Sequence, residues 1–131
     1  MATLREEVRV ETSAERVWDA ARDLGALHTR LVPGFVTGTV LDGDVRVVTF
    51  GNGMVVREPI ISVDDERRRL AWTTSGGRTT HYNAVLEVIP DAATACRVVW
   101  TIDLLPNDMA PSISAMQREG IATLKATLER G

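Results

Sequence analysis

Between Phe35 and Leu105 the chain is interrupted five times by pairs of turn-forming residues: Asp42-Gly43, Asn52-Gly53, Asp64-Asp65, Gly76-Gly77 and Pro90-Asp91. Asp-Gly and Asn-Gly tolerate the positive φ of tight hairpins. Six strand-length segments are left, at about 34–41, 44–50, 54–63, 69–75, 80–89 and 96–105. Connections this short join antiparallel neighbours, because a parallel crossover takes roughly a dozen residues or more. The region is therefore expected to form a meander.

The flanking segments have different patterns. Leu4 to Glu11 alternates Val8 and Val10 with Arg9 and Glu11, as a half-buried strand does. Thr12-Ser13-Ala14-Glu15 fits a capping box in which the Thr12 hydroxyl and the Glu15 carboxylate satisfy each other's amides. The helix that follows carries Val17, Trp18 and Ala21 on its apolar face and ends at Gly25. Ala26 to Leu31 allows a further helical turn before Pro33-Gly34. At the other end, Ile113, Met116, Ile121, Leu124 and Leu128 form one helical stripe, with Asp108 as the expected N-cap and Pro111 in the first turn. The order β-αα-β6-α predicts an α+β fold over residues 1–131, read as one domain, in which a curved antiparallel sheet of about seven strands grips a long C-terminal helix.

Alternation assigns the inward faces. Met54, Val56, Glu58 and Ile60 oppose a set containing Arg57, and the set without the arginine is expected inside. Leu70, Trp72 and Thr74 form one face of the next strand, Tyr82, Ala84, Leu86 and Val88 of the one after, and Val98, Trp100, Ile102 and Leu104 of the last. Gly120 falls in the apolar sector of the long helix. Together with Thr74 and Ala84 it leaves two readings: a hollow between sheet and helix, or close packing that needs a missing side chain.

The chemistry is sparse. Nucleophile-elbow, zinc-protease and phosphate-loop motifs are missing, and Gly51-Asn52-Gly53 reads as a hairpin turn. His28 and His81 lack carboxylates at ligand spacing, so neither a metal site nor a cofactor is expected. Net charge is −3 with a pI near 5.4, and Arg67-Arg68-Arg69 is balanced by Asp64-Asp65-Glu66, which argues against a nucleic-acid partner. No apolar run approaches the ~20 residues of a membrane span, and the single Cys96 fits a reducing compartment, with the cytoplasm as the expected location. An open edge strand, the first or its neighbour, leaves monomer or homodimer as the expected states. The polar residues on the inward faces are Glu58, Thr74 and Tyr82, with Asp103 as a further candidate. A carboxylate on an apolar concave face is paired, wetted, or used as an anchor or an acid–base group.

The segments Val8–Thr12 and Ala14-Glu15-Arg16-Val17-Trp18, with Gly25 before the second short helix, resemble the START-related helix-grip superfamily, in particular its bacterial polyketide cyclase/dehydrase-like branch. Arg57-Glu58, Asp64-Asp65-Glu66-Arg67-Arg68, Gly76-Gly77 and Tyr82-Asn83 resemble the strand–turn–strand of the plant abscisic acid receptors, whose matching glutamate and tyrosine face the ligand through water. That resemblance implies a cavity lined by Glu58, Trp72, Tyr82, Ala84, Met116 and Gly120. The inward-face assignment adds Met54, Val56, Thr74, Trp100 and Ile113, with Phe35 at the head of its strand. Phe50-Gly51-Asn52-Gly53-Met54 departs from the receptors' Ser-Gly-Leu-Pro-Ala gate, and their ligand-binding lysine has no counterpart, since Lys125 lies on another element. A hormone receptor is thus disfavoured. The expected function is binding of a small hydrophobic molecule of lipid, polyketide or isoprenoid type. The alternative is a cyclase or dehydratase with Glu58 as acid/base and Tyr82 polarising a carbonyl.

Overall fold

A computed structural model describes residues 1–75 and 77–131. Its seven strands are β1 (Ala2–Val10), β2 (Val36–Asp42), β3 (Val45–Phe50), β4 (Val55–Asp64), β5 (Arg69–Thr73), β6 (His81–Ala92) and β7 (Ala95–Leu105). They form one antiparallel sheet in the order β1-β7-β6-β5-β4-β3-β2. The meander is as expected, and β1 and β2 are its two edges. Of the Gly76-Gly77 turn, Gly76 lies outside the described residues.

Helix α1 (Ala14–Arg22) follows β1 and is capped one residue later than the sequence pattern implied. Ser13 Oγ accepts from the Arg16 amide at 3.2 Å, and Glu15, freed from a capping role, pairs with Arg68 at 3.0 Å. The helix ends at Arg22, before Gly25, and a 3-10 turn at Leu24–Ala26 leads into a π-helical turn at Leu27–Leu31. Trp18 is buried and donates its indole N–H to Asp65 at 2.9 Å, tying α1 to the β4–β5 turn.

Helix α2 (Ala110–Arg130) has 21 residues, about 32 Å at ~1.5 Å per residue. Asp108 is not its cap. Asn107–Met109 form a 3-10 turn, and α2 begins without a side-chain cap but with Pro111 in its first turn. Ile121, Leu124 and Leu128 are buried as the stripe requires, whereas Ile113 and Met116 are half-buried. Two stripe positions are not apolar side chains at all: Gln117 and Gly120 are buried beside them. Gln117 is fully buried and donates Nε2 to the Trp100 carbonyl at 2.8 Å, fastening the helix to β7.

The inward register is as read on β6 and β7: Tyr82, Ala84, Leu86, Val88, Val98, Trp100, Ile102 and Leu104 are all buried. Burying each large aliphatic side chain contributes ~1.5–3 kcal/mol. Asp103, by contrast, belongs to the other face and accepts from Thr3 Oγ1 on β1. Met54 lies just outside β4 and is 39% exposed, because the strand begins one residue later. Thr74 lies just beyond β5.

Gly120 shows which of its two readings holds. A Cβ there would lie 2.9 Å from ring atoms of both Phe35 and Trp100. The missing side chain is occupied by aromatic rings, so it serves close packing of α2 rather than opening a hollow. Gly120→Ala should gain ~0.5–1 kcal/mol of helix propensity but lose ~1–3 kcal/mol to overpacking. Thermal unfolding should show a net loss of ~1 kcal/mol and a Tm lower by about 3–5 °C; a raised Tm would mean that the rings yield freely.

Candidate functional site

On β3 the alternation turns Arg46, Val48 and Phe50 toward α2, an inward set that includes an arginine. The β3–β4 register places Arg46 directly opposite Glu58, so the two side chains meet on the concave face. Arg46 Nη2 approaches Glu58 Oε1 to 2.8 Å, with the two side chains only 3% and 8% exposed. Arg46 Nε donates to the same oxygen at 3.0 Å. Both contacts fall on Oε1, and Oε2 accepts no hydrogen bond among the described residues. The guanidinium carbon lies 5.5 Å from the centre of the Trp72 ring, a cation–π arrangement that partly offsets desolvation of the cation.

Burial pushes the Glu58 carboxyl up, and the charge and hydrogen bond of Arg46 counter this only in part. The Trp72 indole also favours the charged carboxylate, yet its Nε1 completes no hydrogen bond. Tyr82, inward on β6, is raised by burial and further by the charge of Glu58, so its phenol stays neutral. Trp100 Nε1 and Thr74 Oγ1 are buried and, among the described residues, have no partners either. The Trp72 and Trp100 rings lie 6.4 Å apart, tilted by 40°. One region thus gathers an ion pair and several donors with spare hydrogen-bonding capacity, at a cost of ~1–3 kcal/mol for each group left unsatisfied.

Two cavities meet there. The outer one, about 680 Å³, lies between β4, the β5–β6 connection and the start of α2. Its apolar lining includes Val56, Met109, Ile113 and Met116, and Asn52, Arg78, Thr79 and Ser112 are among its polar residues. The inner one, about 60 Å³, is bounded by Leu27, Leu31 and Val32 of the helical turn region and by Trp72, Trp100 and Leu124. That volume has room for more than one water molecule. Phe50, Glu58, Tyr82 and Met116 line both cavities and form the boundary between them.

Of the residues singled out from the sequence, Met54, Val56, Thr74 and Ile113 line the outer cavity. Trp72, Trp100 and Gly120 line the inner one, and Glu58, Tyr82 and Met116 line both. Ala84 and Phe35 line neither. Ala84 is fully buried in register with Trp72 and Ile102. Phe35 packs edge-on against Phe50, with ring centres 5.5 Å apart, in the space beside Gly120. Sequence reasoning missed Arg46 and Arg78. For Arg46 the signal hung on turn length: a two-residue Asn52-Gly53 turn would set Glu58 opposite Val47, whereas the observed three-residue turn Gly51-Asn52-Gly53 sets it opposite Arg46. His28 bonds Thr39 at 3.0 Å and His81 is exposed on the outer face. Among the described residues no three His, Cys, Asp or Glu side chains gather as metal ligands, and no helix is long and apolar enough to cross a membrane.

The family described as polyketide cyclase / dehydrase and lipid transport matches residues 1–129. The chain belongs to that family. Its fold is the helix-grip α+β fold of the START and Bet v 1-like proteins. A solution structure from Thermobifida fusca is 29% identical, with a TM-score of 0.82 over 99% of this chain and 95% of that one. A START superfamily protein from Mycobacterium smegmatis is 15% identical, with a TM-score of 0.77 over 98% of this chain and 94% of that one. Norcoclaurine synthase from Thalictrum flavum, in complex with dopamine and hydroxybenzaldehyde, is 20% identical, with a TM-score of 0.72 over 98% and 84%. At 15% and 20% identity the last two share the fold alone. No curated protein matches the sequence significantly.

Two measurements check the electrostatics. Arg46→Met should cost ~3–5 kcal/mol in urea unfolding, because it strands a buried carboxylate, whereas the double variant Arg46→Met/Glu58→Leu should recover most of that loss. Additive losses would show that the two side chains do not interact. Tyr82 is the only tyrosine, so absorbance at the tyrosinate band reports it alone. Its folded pKa is raised, so folding loses stability as pH climbs above the ordinary tyrosine value of ~10. Tyrosinate should therefore appear only together with unfolding; a native tyrosinate near pH 10 would show a wetted phenol.

Proposed function

We propose that this chain, acting as one ligand-binding domain over residues 1–131, binds a small, mainly apolar molecule between the sheet and α2. The body of the molecule occupies the outer cavity against Val56, Ile113 and Met116, and an uncharged polar end reaches Glu58 and Tyr82. The observation that carries this reading is the buried Arg46–Glu58 pair at the junction of the two cavities, with Oε2 unpartnered next to a neutral phenol. An ion pair in an apolar concavity is weak support for stability, since apolar residues of similar volume would often serve as well. It makes sense where a bound polar group completes it. A volume of a few hundred Å³ or more, with few polar groups, is the usual anatomy of a small-molecule site. The membership in a family of cyclases, dehydrases and lipid transporters agrees with it.

The catalytic alternative has one observation in its favour, the raised carboxyl of Glu58, which is what a proton-transferring group requires. Against it, Arg46 already holds that carboxylate, burial keeps the Tyr82 phenol neutral, and no His, Asp, Cys, Lys or second Glu lines either cavity among the described residues. The binding reading therefore leads. It goes with a reducing, cytoplasmic setting, in which the buried thiol of Cys96 stays free.

Native mass spectrometry of freshly purified protein should show the 14.3 kDa chain carrying a noncovalent small-molecule adduct, or taking up an apolar fluorescent probe after delipidation. Met116→Trp, which places bulk at the junction, should abolish uptake while the protein stays folded. Bare protein that takes up no apolar probe would overturn the reading.

A further inference from the structure

Resting on the pocket reading above, we infer that the bound molecule is an amphipathic acid whose anionic group sits at the mouth of the outer cavity beside Arg78. Arg46, Glu58 and Arg78 are the charged residues lining the two cavities among the described residues. Arg46 and Glu58 neutralise one another at 2.8 Å. Arg57, whose backbone bridges to Ser75, is engaged by Asp42, and Arg67 by Asp64. Arg78 takes part in no ion pair among the described residues, and the exposed Asp108, next to the lining Met109, does not reach it. The cavity lining therefore carries one uncompensated positive charge, located at the rim.

The rim around that charge offers donors. Asn52 accepts from the Met54 amide through Oδ1 at 3.0 Å, which leaves its side-chain NH2 free to donate. Thr79 and Ser112, each carrying a hydroxyl, line the same cavity. An arginine with amide and hydroxyl donors suits a carboxylate or a phosphate monoester, where charge-assisted hydrogen bonds are the strong ones. The deep end suits no anion, because the free Oε2 of Glu58 would meet it at short range in a poorly solvated site. These two ends orient the ligand with its acid outward, its apolar body against Val56 and Met116, and an uncharged group inward. The net charge of −3 opposes anions at long range, so any anion preference must be local.

Isothermal titration with decanoate, decanol and decylammonium separates charge from apolar burial. Decanoate should bind about 3- to 10-fold more tightly than decanol, the range for a partly desolvated ion pair at a pocket mouth, and decylammonium should bind weakest. Arg78→Gln should bring decanoate down to the decanol affinity, and Arg78→Glu should invert the order of the two charged probes. Decanol affinity should be unchanged in both variants, which shows that the cavity itself is intact. Equal affinities for all three probes, or a decanoate advantage that survives Arg78→Gln, would overturn the acid assignment and leave the pocket reading standing. Binding of none of the three would overturn the pocket reading, and the acid assignment with it.

Discussion

One α-helix, about 10–12 Å across, cannot cover the face of seven strands spaced ~4.8 Å apart. The sheet must curl around α2, and part of its concave face still needs other cover. At one end the helical turns after α1 supply it, with Leu27, Leu31 and Val32 closing the inner cavity to about 60 Å³. At the other end, near the start of α2, the cover consists of short loops around Asn52 and Arg78, and about 680 Å³ remains. The cavity follows from the mismatch between one helix and a seven-stranded sheet. Gly120 does not create it, because the space beside its Cα is taken by the rings of Phe35 and Trp100.

The same geometry explains where the polar groups collect. Strand alternation delivers a side chain to the concave face at every second residue, whatever its chemistry. Arg46 and Glu58 arrive there on adjacent strands in register, Tyr82 and Trp72 on the next two. All four are buried, so each takes a neighbour or keeps spare hydrogen-bonding capacity toward the cavities. The pair satisfies one carboxylate oxygen. The other oxygen, the phenol and the indole N–H groups retain capacity at the boundary of the two cavities, which gives the pocket a polar floor under apolar walls.

Much of this was legible in the chain itself. Turn dipeptides cut out the strands, the period of Ile121, Leu124 and Leu128 marked α2, and the alternation of Tyr82, Ala84, Leu86 and Val88 marked the inner face correctly. The errors were local. Ser13 rather than Thr12 caps α1, and Asp108 does not cap α2, because shifting a helix start by one or two residues alters few contacts. Asp103 was misplaced as a candidate although its strand neighbours Ile102 and Leu104 were placed correctly, and the period of two then sends it outward.

Glu58 was identifiable as a carboxylate out of place, but its partner was not, since Arg46 matters only once two strands are paired in one register. Gln117 was passed over for the same reason: a polar residue in an apolar stripe becomes intelligible when the Trp100 carbonyl lies within 2.8 Å. The sequence by itself determined the elements, their order and the faces they bury, because those depend on periodicity and turn chemistry within a few residues. The tertiary structure alone decided which buried charges meet, whether Gly120 is filled or empty, and where the open volume lies. Those depend on side chains brought together from distant strands and on how far one helix can cover a curved sheet.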